Sequence, residues 1–146
     1  MKKYILLAII LIIVGLQFFP GLPENKTENP DLSIVISPAL PKDVDAILTK
    51  ACNDCHSYSP NWPWYAHVAP VSFYIGDHVK EGREHFNLSE WGTYSPKRQK
   101  HKAKEAIEEI KEGGMPIESY LKLHPEARLT DDEKQTLIDF FNMVRG

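Results

Sequence analysis

Residues 41–57 read Pro41-Lys-Asp-Val-Asp-Ala-Ile-Leu-Thr-Lys-Ala-Cys-Asn-Asp-Cys-His-Ser57, and this stretch decides the fold. Val44, Ile47, Leu48 and Ala51 recur at i, i+3, i+4 and i+7, which predicts an amphipathic helix with Pro41 in its first turn. That helix runs straight into Cys52-Asn53-Asp54-Cys55-His56. Two thiols one helical turn apart reach the vinyl groups on one edge of a porphyrin. The adjacent histidine then lies under the ring and offers an imidazole nitrogen to iron. The pattern predicts one covalent haem c, bonded through Cys52 and Cys55 and ligated on its proximal side by His56. A thioredoxin-like dithiol would follow a strand, whereas a helix precedes this one. Structural zinc needs four ligands, usually two spaced pairs. The chain has only two cysteines, although six histidines keep zinc open.

Downstream the punctuation stays helical. A second helix is expected from Val71 to Arg83, with Val71, Tyr74, Ile75, His78 and Val79 as its inner face. Ser95-Pro96 supplies a cap and a first-turn proline for a third, which turns Ala103, Ala106, Ile107 and Ile110 inward and stops at Gly113-Gly114. Thr130-Asp-Asp-Glu133 is a capping box opening a last helix with Leu137, Phe140, Phe141 and Val144 inside. No alternating strand pattern and no internal repeat interrupts this series. The expectation is an all-α, cytochrome c-like helical domain over residues 41–146, wrapped around one haem. Four modest helices make a thin core, which a large apolar cofactor would thicken.

Upstream, Lys2-Lys3 precedes an apolar run from Tyr4 to Phe19, the layout of an export signal. As helix those 16 residues reach roughly 24 Å, against about 30 Å of hydrocarbon. No small-x-small cleavage pattern follows, so residues 1–20 are expected to form an uncleaved membrane anchor, touching the membrane through residues 4–19, and a cleaved signal is the alternative. The remainder would lie on the periplasmic side of the inner membrane. Residues 21–40 read as a proline-rich tether, with a short apolar patch at 34–36 set against the domain edge.

A second iron ligand must come from across the ring. Met115, in Gly113-Gly114-Met115-Pro116, stands 59 positions after His56, in a loop whose glycines let the backbone come close. Its soft sulfur suits electron transfer. His78 is the rival, and His124 a weaker one. His67, His85 and His101 read as surface or loop residues. Trp62, Trp64, Tyr65 and Trp91 are candidate pocket walls or loop anchors, and Arg83 is a candidate partner for a haem propionate. The run Lys97-Arg98-Gln-Lys100-His101-Lys102-Ala-Lys104 opposes the dipole of its helix. It is either a solvated face or a docking patch for an acidic redox protein.

Composition narrows the classes. With 146 residues, 42% hydrophobic and 25% charged, the chain has room for one domain. Setting aside Lys2 and Lys3 takes the formal −3 to −5, and this acidity argues against nucleic acid as a partner.

The ordered set Cys52-Asn-Asp-Cys-His-Ser57, Pro63-Trp64-Tyr65, Pro70-Val-Ser72, His78-Val-Lys-Glu-Gly-Arg83, Asn87-Leu-Ser-Glu-Trp91, Gly114-Met-Pro116 and His124-Pro-Glu-Ala-Arg-Leu-Thr130 resembles the small haem-binding domain proteins of bacterial envelopes, relatives of monohaem cytochromes c. The resemblance implies covalent haem, an anchor or signal ahead of it, and the Met115-Pro116 loop on the distal side. It implies no reaction. Phe73-Tyr74 stands where a tryptophan is expected in that family, a conservative aromatic exchange. The leading expectation is a one-electron carrier with an unidentified redox partner. The alternatives are a haem-based sensor of small ligands and a peroxidase-like enzyme.

Overall fold

The computed structural model describes residues 2–34, 37 and 39–146, and every regular element among them is helical. In chain order these are α1 (Lys2–Leu16), α2 (Lys42–Ala51), α3 (Asn53–His56), α4 (Val71–His85), α5 (Pro96–Glu112), α6 (Glu118–Leu121) and α7 (Asp131–Arg145). Short 3-10 segments lie at Trp64–His67, Leu88–Thr93 and Pro125–Ala127.

The helix ends follow local chemistry. Ser95 Oγ accepts from the Arg98 N–H at 3.3 Å, and Gly113 closes α5 at φ 74°, a conformation a side chain resists. At α7 both bonds of the capping box form. Glu133 N–H donates to Thr130 Oγ1 at 3.2 Å, and Thr130 N–H donates to Glu133 Oε2 at 2.8 Å.

Helix α5 packs along α7, and α2 packs against α7. Val44, Ile47 and Leu48 of α2 meet Ala103, Ile107 and Ile110 of α5 and Leu137, Ile138, Phe140 and Phe141 of α7, closed off by Leu88 and Leu129. These are nearly the inner faces that the periodicity predicts for three of the helices. The exception is α4. Its buried positions are Ser72, Gly76 and Val79, whereas Val71 and Tyr74 are 41% and 55% exposed. The reason is a close backbone crossing: Gly76 lies against the Gly21 carbonyl, leaving no room for a Cβ. The apolar stripe of α4 is thereby released to line open clefts.

The membrane anchor is a correction. Among the described residues no helix is long and apolar enough to cross a membrane. α1 has 15 residues, roughly 22 Å of helix against about 30 Å of hydrocarbon. It ends where Gln17 turns its side chain back, its amide nitrogen donating to Ile13 O at 2.7 Å and Ala69 O at 3.2 Å while its oxygen accepts from Ala69 N–H at 3.0 Å. Phe18, Phe19 and Pro20 therefore do not extend the helix.

Residues 24–34 run along the domain. Arg83 donates to Glu24 O at 3.3 Å and Asn25 Oδ1 at 2.7 Å. Glu28 Oε1 accepts from Ser59 Oγ at 2.9 Å and Ser89 Oγ at 2.6 Å. The backbone continues the attachment, with Gly92 N–H on Leu32 O at 2.7 Å and Ile34 N–H on Leu88 O at 3.0 Å. Of the apolar patch expected at 34–36, Ile34 packs on the core, and positions 35 and 36 lie outside the described residues.

Candidate functional site

Cys52 ends α2 and His56 ends α3, so the five residues of the C-x-x-C-H segment form one tight corner. His56 N–H and Cys55 N–H both return to the Cys52 carbonyl, at 2.9 and 3.2 Å. Behind the corner, Ser57 is fully buried and its hydroxyl donates to Asn53 O at 2.8 Å. Asp54 is held from two sides, by Asn61 N–H and by the Tyr120 hydroxyl, each at 2.8 Å.

Helix α4 is pressed against this corner through Gly82. A Cβ there would sit 2.9 Å from the Cys55 carbonyl oxygen and 3.4 Å from His56 Cε1. Just beyond, the Phe86 carbonyl lies 2.8 Å from His56 Nδ1. A carbonyl only accepts, so Nδ1 carries the proton and Nε2 keeps its lone pair. Burial lowers the His56 pKa, against smaller upward pulls from backbone hydrogen bonds, and this favours the neutral ring that a metal requires.

The corner forms one wall of a cavity of about 800 Å³, within the range of roughly 300–1,000 Å³ usual for cofactor clefts. Leu48, Ala51, Phe86, Ile110, Leu129 and Phe141 supply its apolar surface, while Cys52, at the junction of α2 and α3, and Cys55 and His56 of α3 face it. Met115 and His78 both reach it, Met115 from the loop beyond α5 and His78 from α4. His78 donates Nδ1–H to Tyr74 O at 2.9 Å and lies tilted against the Tyr74 ring at 4.2 Å, so it too presents Nε2. Met115 is 38% exposed. Its loop doubles back on α5, with Gly114 N–H on Glu109 O at 2.9 Å.

The remaining histidines sort differently. Both nitrogens of His124 are engaged, Nε2 with Tyr65 Oη at 2.5 Å and Nδ1 with Glu126 Oε1 at 3.1 Å, which removes it as an iron ligand. His67 is exposed, and His101 pairs with Glu105 at 3.1 Å. His85, expected at the surface, lines the cavity. Arg83 does not, being spent on Ser57 O at 2.9 Å and on the 24–25 backbone and side chain. Among the aromatics, Trp62 and Tyr65 line a smaller groove of about 120 Å³ that shares Cys55, His78 and Tyr120 with the main cavity. Trp64 is 79% exposed, and Trp91 packs edge-on against Phe86. The basic run is partly neutralised within α5, by Lys102–Glu105 at 2.6 Å and Lys104–Glu108 at 3.4 Å.

Two thiols and a neutral imidazole on one wall of a large cavity with apolar side chains beside them fit a porphyrin. They fit the other chemistries poorly. Burial pushes the Cys52 thiol up to about 12 and the Cys55 thiol up to about 11, where a redox dithiol or a zinc site would hold thiolates. Among the described residues no cluster of three His, Cys, Asp or Glu side chains is placed to hold a metal ion. Sequence reasoning missed the Gly82 contact and the Phe86 carbonyl. A glycine inside an otherwise regular helix was the available sign of the first.

No curated protein and no solved structure matches the chain. The sequence model of the haem-binding domain family matches residues 11–143, from within α1 almost to the end of α7. The chain therefore belongs to the haem-binding domain family.

Proposed function

We propose that this haem-binding protein carries one haem c, bonded by thioethers to Cys52 and Cys55, and serves as a one-electron carrier on the exported side of the cytoplasmic membrane. The observation that carries the reading is the C-x-x-C-H corner opening onto the large cavity, with His56 Nδ1–H already donated to the Phe86 carbonyl. The haem supplies a reversible one-electron couple.

The residues divide the remaining work. His56 presents Nε2, its orientation and basicity set by the bond to Phe86 O. Met115 is the proposed distal ligand, with His78 the alternative, and both border the cavity. A thioether favours ferrous iron and a second imidazole does not, so the choice sets the potential. Phe86, Ile110, Leu129 and Phe141 would give the ring apolar walls. The basic start and apolar run over residues 2–19 support export.

The test is a pyridine haemochrome spectrum of denatured protein that has been matured with haem-attachment machinery. A thioether-type spectrum is expected, lost in Cys52→Ala/Cys55→Ala. Wild-type protein releasing its haem to organic solvent would overturn the reading. Met115→Ala should abolish the sulfur-to-iron charge-transfer band of the oxidised protein, whereas loss of a bis-histidine spectrum in His78→Ala would assign the distal place to His78. A sensor is the second reading, favoured by the exposure of Met115. Rapid carbon monoxide binding by reduced wild-type protein would support it.

A further inference from the structure

Haem brings two propionates, on the edge opposite its vinyl groups. The cavity is poorly disposed to receive them, because Glu81, Glu105, Glu108, Glu109 and Glu112 all line it. A carboxylate brought among these is repelled. Lys102 is the single lysine or arginine among the described lining residues. Its side chain is only 14% exposed, an ammonium held at the wall and not trailing in solvent.

Position agrees with charge. Cys55 borders both the cavity and the smaller groove at its Tyr120 end, whereas Lys102 and His85 border the cavity alone. A ring bonded at Cys52 and Cys55 and held in the cavity would have Lys102 of α5 and His85 of α4 among its walls. Arg83, the other cation near the corner, is committed to Ser57 O and to residues 24–25.

We infer that Lys102 anchors a haem propionate, an inference that rests on the haem c reading above. The ammonium has three donors, and one of them holds Glu105 Oε2 at 2.6 Å. Glu105 also has His101 Nε2 at 3.1 Å, so it keeps a side-chain partner when Lys102 turns toward the propionate. A positive charge there offsets propionate charge near the iron and favours the electron-rich ferrous form.

The experiment is a redox titration of the full-length, haem-loaded protein as wild type, Lys102→Gln, Lys102→Met, Lys102→Arg and Lys104→Gln. Lys104 is on the same helix, paired with Glu108 and absent from the cavity wall. Neutralising Lys102 should raise the ferric-to-ferrous ratio about tenfold at a fixed ambient potential, a midpoint lowered by roughly 59 mV for one electron. Lys102→Arg should stay near wild type, and Lys104→Gln should shift by less than a third as much. Lys102→Met keeps the packed stem and gives the same reading if the glutamine variant fails to fold. Equal shifts at positions 102 and 104, with haem attached, would overturn the role of Lys102 alone. Wild-type protein without covalent haem would instead overturn the reading on which it stands.

Discussion

Replacing Gly82 by alanine sets two effects of known size against each other. In an unencumbered helix the change gains about 1 kcal/mol, because glycine is the poorer helix former. Here the new Cβ would stand 2.9 Å from the Cys55 carbonyl oxygen and 3.4 Å from His56 Cε1. Ordinary carbon–oxygen contacts begin near 3.3 Å, so either α4 or the corner must shift by roughly 0.4 Å. The obstructing atom is backbone within a hydrogen-bonded turn and yields reluctantly. Overpacking of this kind costs about 1–3 kcal/mol, which more than cancels the helix gain. The expected outcome is a net loss of about 1 kcal/mol, or about 4 °C in Tm for a domain of this size. Gly82→Val adds two methyl groups in the same place and should lose about 3 kcal/mol. Because the same displacement strains the bond from His56 to Phe86 O, the haem spectrum should change along with the stability. Urea midpoints and absorption spectra of the loaded variants measure both. A Gly82→Ala protein stabilised by the full helix increment, with an unaltered spectrum, would show that the close approach has no mechanical consequence.

Other expectations concern the thiols, the last helix and the core. In protein not yet bearing haem, Cys52 and Cys55 should alkylate slowly at pH 7.5, because burial holds them as thiols at about 12 and 11. Labelling as fast as in urea-unfolded chain would contradict that. Glu133 is held below the ordinary carboxylate range, first by Lys50 at 2.6 Å and then by the Thr130 N–H. Its contribution is therefore present above the unfolded-state value and lost as pH falls through the lowered folded one. Glu133→Gln should flatten the acid side of a stability–pH curve, and an unchanged acid limb would count against the pairing. Thr130→Ala removes one bond of the capping box and should cost about 1 kcal/mol in urea titration. Leu137 is fully buried between α5 and α2, so Leu137→Ala should cost about 3 kcal/mol.

The parts of the fold that the sequence made legible are those governed by neighbours a few positions away. Ser95-Pro96, Gly113 and the Thr130–Glu133 box set helix ends through bonds spanning three or four residues, and α5 and α7 turn inward the faces their periodicity predicts. The corner at Cys52–His56 was legible for the same reason. What escaped depended on partners far along the chain. The apolar stripe of α4 looked like a core face, yet the contact of Gly76 with Gly21 turns that helix and leaves Val71 and Tyr74 beside a cleft. The apolar run at the start read as an anchor because hydropathy does not register Gln17 binding Ala69, 52 positions away. Lys102 and His85 were read as surface residues for want of any local sign that a cavity lay beside them.

The strand of chain from Glu24 to Ile34 bears on where this protein can be cut. A shortened version beginning at Pro41 would leave the Arg83 guanidinium without Glu24 and Asn25, and would strip Ser59 and Ser89 of the carboxylate that bridges them. Those serines flank the turn that follows His56, since Ser89 Oγ also accepts from Tyr58 N–H at 2.8 Å. Trimming for crystallisation or spectroscopy should therefore stop short of Gly21, because the residues ahead of α2 brace the wall into which His56 is set.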